Sequence, residues 1–128
     1  MTQSVLVGAG GFVGANMRYW LGLAIQSKTG PGFPWSTLVI NVTGSLIIAL
    51  FLGLFLQLNW NPGWRLFIAF GLLGGYTTFS SFSWEALGLL GDRLYLQAAA
   101  YVFGSAILSV AGAWLGLILA RTILGGNV

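Results

Sequence analysis

Cysteine and histidine are both missing from this 128-residue chain, and formal charge is nearly missing too. Without cysteine there is no disulfide and no thiolate metal site. Without histidine the chain lacks the commonest proton carrier and transition-metal ligand. Charged residues make up 5% of the sequence, where a soluble domain carries about 25%. The bases are Arg18, Lys28, Arg65, Arg93 and Arg121, and the acids are Glu85 and Asp92. A formal charge of +3 spread so thinly is too sparse for a nucleic-acid surface, so no nucleic-acid partner is expected. Nucleophile–base pairs and clusters of metal ligands are lacking as well, which argues against an enzyme.

Apolar residues fill the space, at 57% of the chain. No soluble fold of this length can hide so much apolar surface, so the composition points to an all-α membrane protein lying in the lipid bilayer as one transmembrane domain over residues 1–128. Four segments reach the roughly 20 residues a crossing helix needs: about 4–26, 35–57, 65–90 and 94–123. Gly30-Pro31-Gly32, Asn61-Pro62-Gly63 and Gly91-Asp92-Arg93 punctuate the short connections. Trp20, Trp35, Trp60, Trp64, Trp84 and Tyr95 lie mostly near segment ends, as interfacial belts require. The first segment lacks a basic start and is too long for the apolar region of a cleavable signal, so none is expected.

Charge gives no preferred orientation. Arg65 and Arg121 would fall on one side, Lys28 and Arg93 on the other, and Arg18 is buried within its segment. A chain without bias is expected to insert both ways up, and two opposed copies can pair about an axis in the membrane plane.

Ser4–Gly14 imitates a dinucleotide-binding start, with Gly8, Gly11 and Gly14 spaced like its glycines. That motif needs a strand before it, a βαβ unit around it and an acid about 20 residues later. None of these is present. Gly10 with Gly14, Gly71 with Gly75 and Gly112 with Gly116 instead form small-xxx-small pairs, which let membrane helices approach closely.

The stretch Gly74–Ser83 interrupts this apolar background. Thr77, Thr78, Ser80, Ser81 and Ser83 bring hydroxyls to the middle of the third segment, with Phe79 and Phe82 among them. Polar groups at midplane depth are costly and usually mark a site or pathway. Phe79 and Phe82 are three apart and share a helix face. A phenylalanine edge carries partial positive charge, so two edges beside hydroxyls suit a small, strongly hydrated anion. Gly74-Gly75 weakens the helix just before, and a local break there would free backbone carbonyls. Asn41, two turns into the second segment, supplies amide donors, with an interhelical hydrogen bond as its simpler role. Tyr101, Ser105 and Ser109 recur every four residues along the fourth segment, where each serine has the option of bonding back to its own helix. Arg18 either snorkels, bonds to carbonyls or lines an anion-attracting vestibule. Glu85 is the one acid inside a segment, and Asn16 has no assigned role.

On these residues the chain resembles the Fluc fluoride channels, also called the CrcB family. Residues 34–41 resemble that family's second-helix entry, and Gly74–Ser83 with Glu85 its third-helix signature. Arg18 falls at its first-helix arginine. Ser36 stands where glycine is usual and Ser81 where threonine is. The resemblance implies an antiparallel, dual-topology homodimer with a third helix broken near its middle and two fluoride pores. It implies passive export of fluoride across a bacterial cell membrane, which relieves fluoride toxicity. It assigns the fluoride pathway to Asn41, Phe79, Phe82, Ser80, Ser83, Tyr101, Ser105 and Ser109, and the vestibule to Arg18. It also implies a structural sodium ion at the dimer centre, on backbone oxygens of Gly74 and Thr77. A rival is a small dual-topology proton-coupled multidrug exporter, which needs an embedded carboxylate that only Glu85 offers. A noncatalytic assembly subunit is the other rival.

Overall fold

The computed structural model describes residues 1–126, and it is helical throughout apart from short connections. Helix α1 (Thr2–Thr29) is followed by α2 (Trp35–Leu58). Helix α3 (residues 62–76) joins Pro62–Trp64, a π-helical stretch Arg65–Leu73 and the turn Gly74–Tyr76. Two extended residues lead into α4 (Phe79–Gly91), and α5 (Tyr95–Ile123) completes the fold.

Local chemistry explains the ends. Pro34 precedes α2, where the missing proline N–H costs nothing at a helix start. Asn59 stops α2 with a left-handed φ of 48°, a conformation asparagine tolerates better than most residues. The Asn61 side chain then accepts from Gly63 N–H at 2.8 Å, and Pro62 opens α3. Arg93 turns the chain after α4 with φ 61°, and Leu94 N–H closes back on Leu89 O at 2.9 Å.

Residues Trp35–Leu58, Pro62–Gly91 and Tyr95–Ile123 are each long and apolar enough to cross a membrane. Four such segments are expected from the sequence. α1 has the length, 28 residues, but polar Gln3, Asn16, Arg18 and Gln26 dilute its apolar character. Between 17% and 28% of each crossing window is buried within the chain. The apolar surface therefore faces outward, the reverse of a soluble domain and the arrangement lipid favours.

Backbone-to-backbone approach holds the helices together. α1 lies along α3 and α5 along α2. A methyl group added at Gly71 would come within 2.7 Å of Val7 O, and one at Gly75 within 2.7 Å of Gly11 O. Gly10 and Gly14 press against the backbone of Phe67 and Leu72 in the same seam. Across the other seam, Gly112 meets Val42 O and Gly116 meets the backbone of Leu46. All three small-residue pairs in the sequence are contact points. Without a hydrophobic driving force between helices in lipid, such close packing is what drives association. Gly8, in the nucleotide-like stretch, has nothing near it.

Candidate functional site

The helical path fails at Thr77 and Thr78. Thr77 has φ −80° and ψ 158°, Thr78 has φ −151° and ψ 120°, and both are extended. Gly74 and Gly75 are still helical. The departure thus falls two to three residues beyond the glycines on which the sequence places it. The reason is that Gly75 is committed to the α1 seam, whereas β-branched threonine favours extended backbone.

Asn41 holds the extended pair. Its Nδ2 donates to Thr78 O at 2.9 Å, and Thr78 N–H donates to its Oδ1 at 2.8 Å. The amide thereby mimics a neighbouring strand and satisfies both backbone groups of Thr78, which lipid cannot do. Gly44, one turn along α2, makes room for this, since a side chain there would strike the Thr77 methyl and the Tyr76 ring. On the α3 side, Tyr76 OH and Thr43 Oγ1 lie 2.9 Å apart and tie the last turn to α2. On the α4 side, Thr78 Oγ1 accepts from Ser81 N–H at 3.2 Å as a helix cap.

Around this junction opens a cleft of about 650 Å³. Of the expected site residues, Asn41, Phe79, Phe82, Ser105 and Ser109 line it, together with Gly74 and Thr77. The two rings lie 5.4 Å apart at an interplanar angle of 37°. Phe79 is mostly exposed, whereas Phe82 packs on Tyr101, with centroids 5.2 Å apart. Ser105 is 5% exposed, and its hydroxyl has no hydrogen-bond partner among the described residues. It does not bond back to its own helix, the simpler role open to it. A buried hydroxyl left unpaired costs about 1–3 kcal/mol, so a partner from the cleft would be welcome.

Other expected residues are already engaged. Ser83 Oγ donates to Phe79 O at 2.9 Å, which uses its only proton. Ser80 Oγ lies 3.3 Å from Thr78 Oγ1 and stays exposed. Tyr101 is fully buried and donates to Glu85 Oε2 at 2.6 Å, while Thr37 donates to Glu85 Oε1 at 2.8 Å. Arg18 Nη1 reaches Thr77 O at 3.4 Å. Asn16 bonds to Phe12 O in its own helix. A second cleft, about 290 Å³, lies under the loop before α2 and includes Glu85 and Asp92.

Two features escape the sequence reading. Thr37, Asn41 and Ser45 recur every four residues on α2 and mirror the α5 stripe; Ser45 lines the larger cleft and Thr37 meets Glu85. The spacing is present in the sequence, but only Asn41 stands out within the apolar run. The pairing of Glu85 with Tyr101 spans 16 residues and two helices, which periodicity does not reveal.

Carbonyl oxygens are the ligand type that a hard alkali cation takes, and two at the junction are candidates. Thr78 N–H, the ordinary helical donor to Gly74 O, is diverted to Asn41. Thr77 is extended, and among the described residues its carbonyl has one hydrogen-bond contact, the long one from Arg18. Among the described residues no group of three or more His, Cys, Asp or Glu side chains is placed to hold a metal.

A family model described as CrcB-like protein, Camphor Resistance (CrcB), matches residues 5–117. The chain belongs to the CrcB family. A relative from Rhizobium meliloti, named fluoride-specific ion channel FluC, is 43% identical over 126 residues, covering 97% of this chain and 100% of the relative. One of the same name from Thermus thermophilus is 45% identical over 125 residues, covering 98% and 100%. Another, from Rhodospirillum rubrum, is 44% identical over 119 residues, covering 88% and 89%. CrcB relatives are named as ion channels, and this CrcB chain is not an enzyme.

Proposed function

We propose that the protein is a fluoride-specific channel of a bacterial inner membrane. Two copies insert in opposite orientations and pair as an antiparallel homodimer, with four spans per copy, a third span broken at Thr77–Thr78 and two pores. Fluoride leaves the cytoplasm passively through them, which lowers its toxicity. The names of the relatives support the ion, and the balanced flanking charges support dual topology.

The observation that carries the reading is the unpaired, buried Ser105 hydroxyl in a cleft shared with Asn41 and two phenylalanine rings. Fluoride is small and holds water tightly. To pass, it needs donors that replace lost water without trapping it. Asn41 spends one Nδ2 hydrogen on Thr78 and has a second to offer. Ser105 has its proton, Ser109 lies one turn on, and the edges of Phe79 and Phe82 add weak positive potential. Ser80, Ser83 and Tyr101 belong to the same track as its supporting wall, since Ser83 and Tyr101 already donate elsewhere. No formal positive charge lines the cleft, so a bound anion is free to leave. In this reading Arg18, whose guanidinium reaches Thr77 O, is the vestibule residue and raises the local concentration of anions.

A sodium ion on the Gly74 and Thr77 carbonyls of both copies would serve as a structural clamp at the dimer centre. The chain's own part is to present those oxygens freed from helical bonding. The proton-coupled exporter reading finds little support, because Glu85 is held by two hydroxyls rather than facing the larger cleft. Purified protein in vesicles tests the proposal with a fluoride electrode. Rapid discharge of a fluoride gradient is expected, and retention of fluoride equal to that of empty vesicles overturns it.

A further inference from the structure

Five hydroxyls line the larger cleft, and they divide into spent and free. Thr77 donates to Leu73 O at 2.9 Å, and Thr78 to Ser81 Oγ at 3.1 Å. Ser45, Ser105 and Ser109 make no side-chain hydrogen bond among the described residues. Ser105 and Ser109 belong to the stripe on α5, whereas Ser45 stands on α2. It is half-buried and follows Asn41 by four residues, so the two share a face about 6 Å apart along the helix. Serine and threonine inside a membrane helix commonly bond back to a carbonyl one turn earlier. Thr43, two positions before Ser45, does so to Val39 O at 2.7 Å. Ser45 faces the cleft with its proton unspent.

The seam between α2 and α5 fixes its level. Val42 O lies against Gly112 and Leu46 O against Gly116, so the two helices run in the same direction and in step. Ser45 is therefore level with the residues between Gly112 and Gly116, about one turn past Ser109. The every-fourth-residue stripe of α5 reaches Ala113 there and carries no hydroxyl. The cleft wall beside Ser45 is otherwise aliphatic, with Ile48, Ala69 and Leu73.

We infer that Ser45 is a further donor of the fluoride pathway, and that the track crosses from α5 to α2 at the level of Asn41 and Ser109. The inference rests on the channel reading above. An anion passing beyond Asn41 and Ser109 on this side meets aliphatic groups, which replace none of its lost water. One neutral hydroxyl a turn further on supplies a next donor without the trapping that a fixed charge would bring.

Fluoride efflux from vesicles and the melting temperature of the purified protein test this together. Ser45→Ala should leave the melting temperature unchanged and slow efflux about fivefold, the rate equivalent of one neutral hydrogen bond. Adding Ala113→Ser returns a hydroxyl to the same level from the other helix and should recover most of the lost rate. A serine with a purely structural role gives the reverse pattern, a lower melting temperature with efflux kept. Unchanged efflux in the single variant, or no recovery in the double one, overturns the inference. Wild type that retains fluoride instead removes the channel reading itself. If Ser45→Ala does not assemble, Ser45→Cys decides, because the chain has no other thiol. Labelling with the small, uncharged methyl methanethiosulfonate should block efflux, and fluoride should slow the labelling. Efflux that persists after complete labelling, read by mass, refutes the assignment.

Discussion

The two halves of the third span are built on different principles. Residues 66–75 are wholly apolar and are held by backbone contact, with Gly71 and Gly75 against α1. Residues 79–91 begin with Phe79-Ser80-Ser81-Phe82-Ser83 and are held by side-chain chemistry: a Thr78 cap, the Asn41 clamp just before it and the Phe82 ring packed on Tyr101. The first half tolerates no added atom at its seam. The second half has a cleft beside it. Rigidity and chemistry are thus separated at Thr77–Thr78, and the rigid half fixes where the chemical half begins.

The strongest way to break this contrast is to add one methyl to the rigid side. Gly14→Ala places a carbon against the Leu72 carbonyl, which is backbone and gives little. Overpacking typically costs about 1–3 kcal/mol, and this site should reach the upper end, seen as loss of assembled protein on gel filtration or a large fall in melting temperature. On the chemical side, Asn41→Asp removes both donors, leaves Thr78 O unpaired and sets a negative charge before an anion. Leaving a buried acceptor unpaired costs about 1–3 kcal/mol and the like charge adds to it, so fluoride flux should fall about tenfold or more. Normal conduction would remove Asn41 from the pathway.

Smaller changes sharpen the distinction. Phe82→Ile keeps apolar volume but deletes the ring edge, and vesicle efflux should fall about tenfold, equivalent to roughly 1.4 kcal/mol, with assembly intact. Unchanged efflux would refute the ring-edge role. Ser105→Ala removes a hydroxyl that has no partner among the described residues. Its melting temperature should hold or rise slightly, because deleting an unsatisfied polar group is nearly neutral or stabilising, while flux drops severalfold. Ser83→Ala should do least to flux, since that hydroxyl already donates to Phe79 O.

Much of this was legible in the residues because bilayer constraints are severe. Each small-residue pair marks a helix contact, and Asn41 stands out because an amide in an apolar run must find partners. Pro34, Asn59 and Gly30 stand at helix ends, where such residues punctuate a chain. Gly74-Gly75 misleads about where the helix yields, because a glycine can serve either bending or close approach and the sequence does not say which. The division into free and spent donors was illegible. It depends on which oxygen lies within 3 Å of each hydroxyl, as for Ser83 against Ser105. The contact of Arg18 with Thr77 spans 59 residues and no motif announces it.

The central claim is that uncharged donors around a clamped, extended junction favour fluoride over larger halides. The reversal potential of purified channels in a planar bilayer, with opposed fluoride and chloride gradients, tests it most directly. Reversal at the fluoride equilibrium potential is expected, and reversal at the chloride potential, or midway between the two, rules this selectivity out.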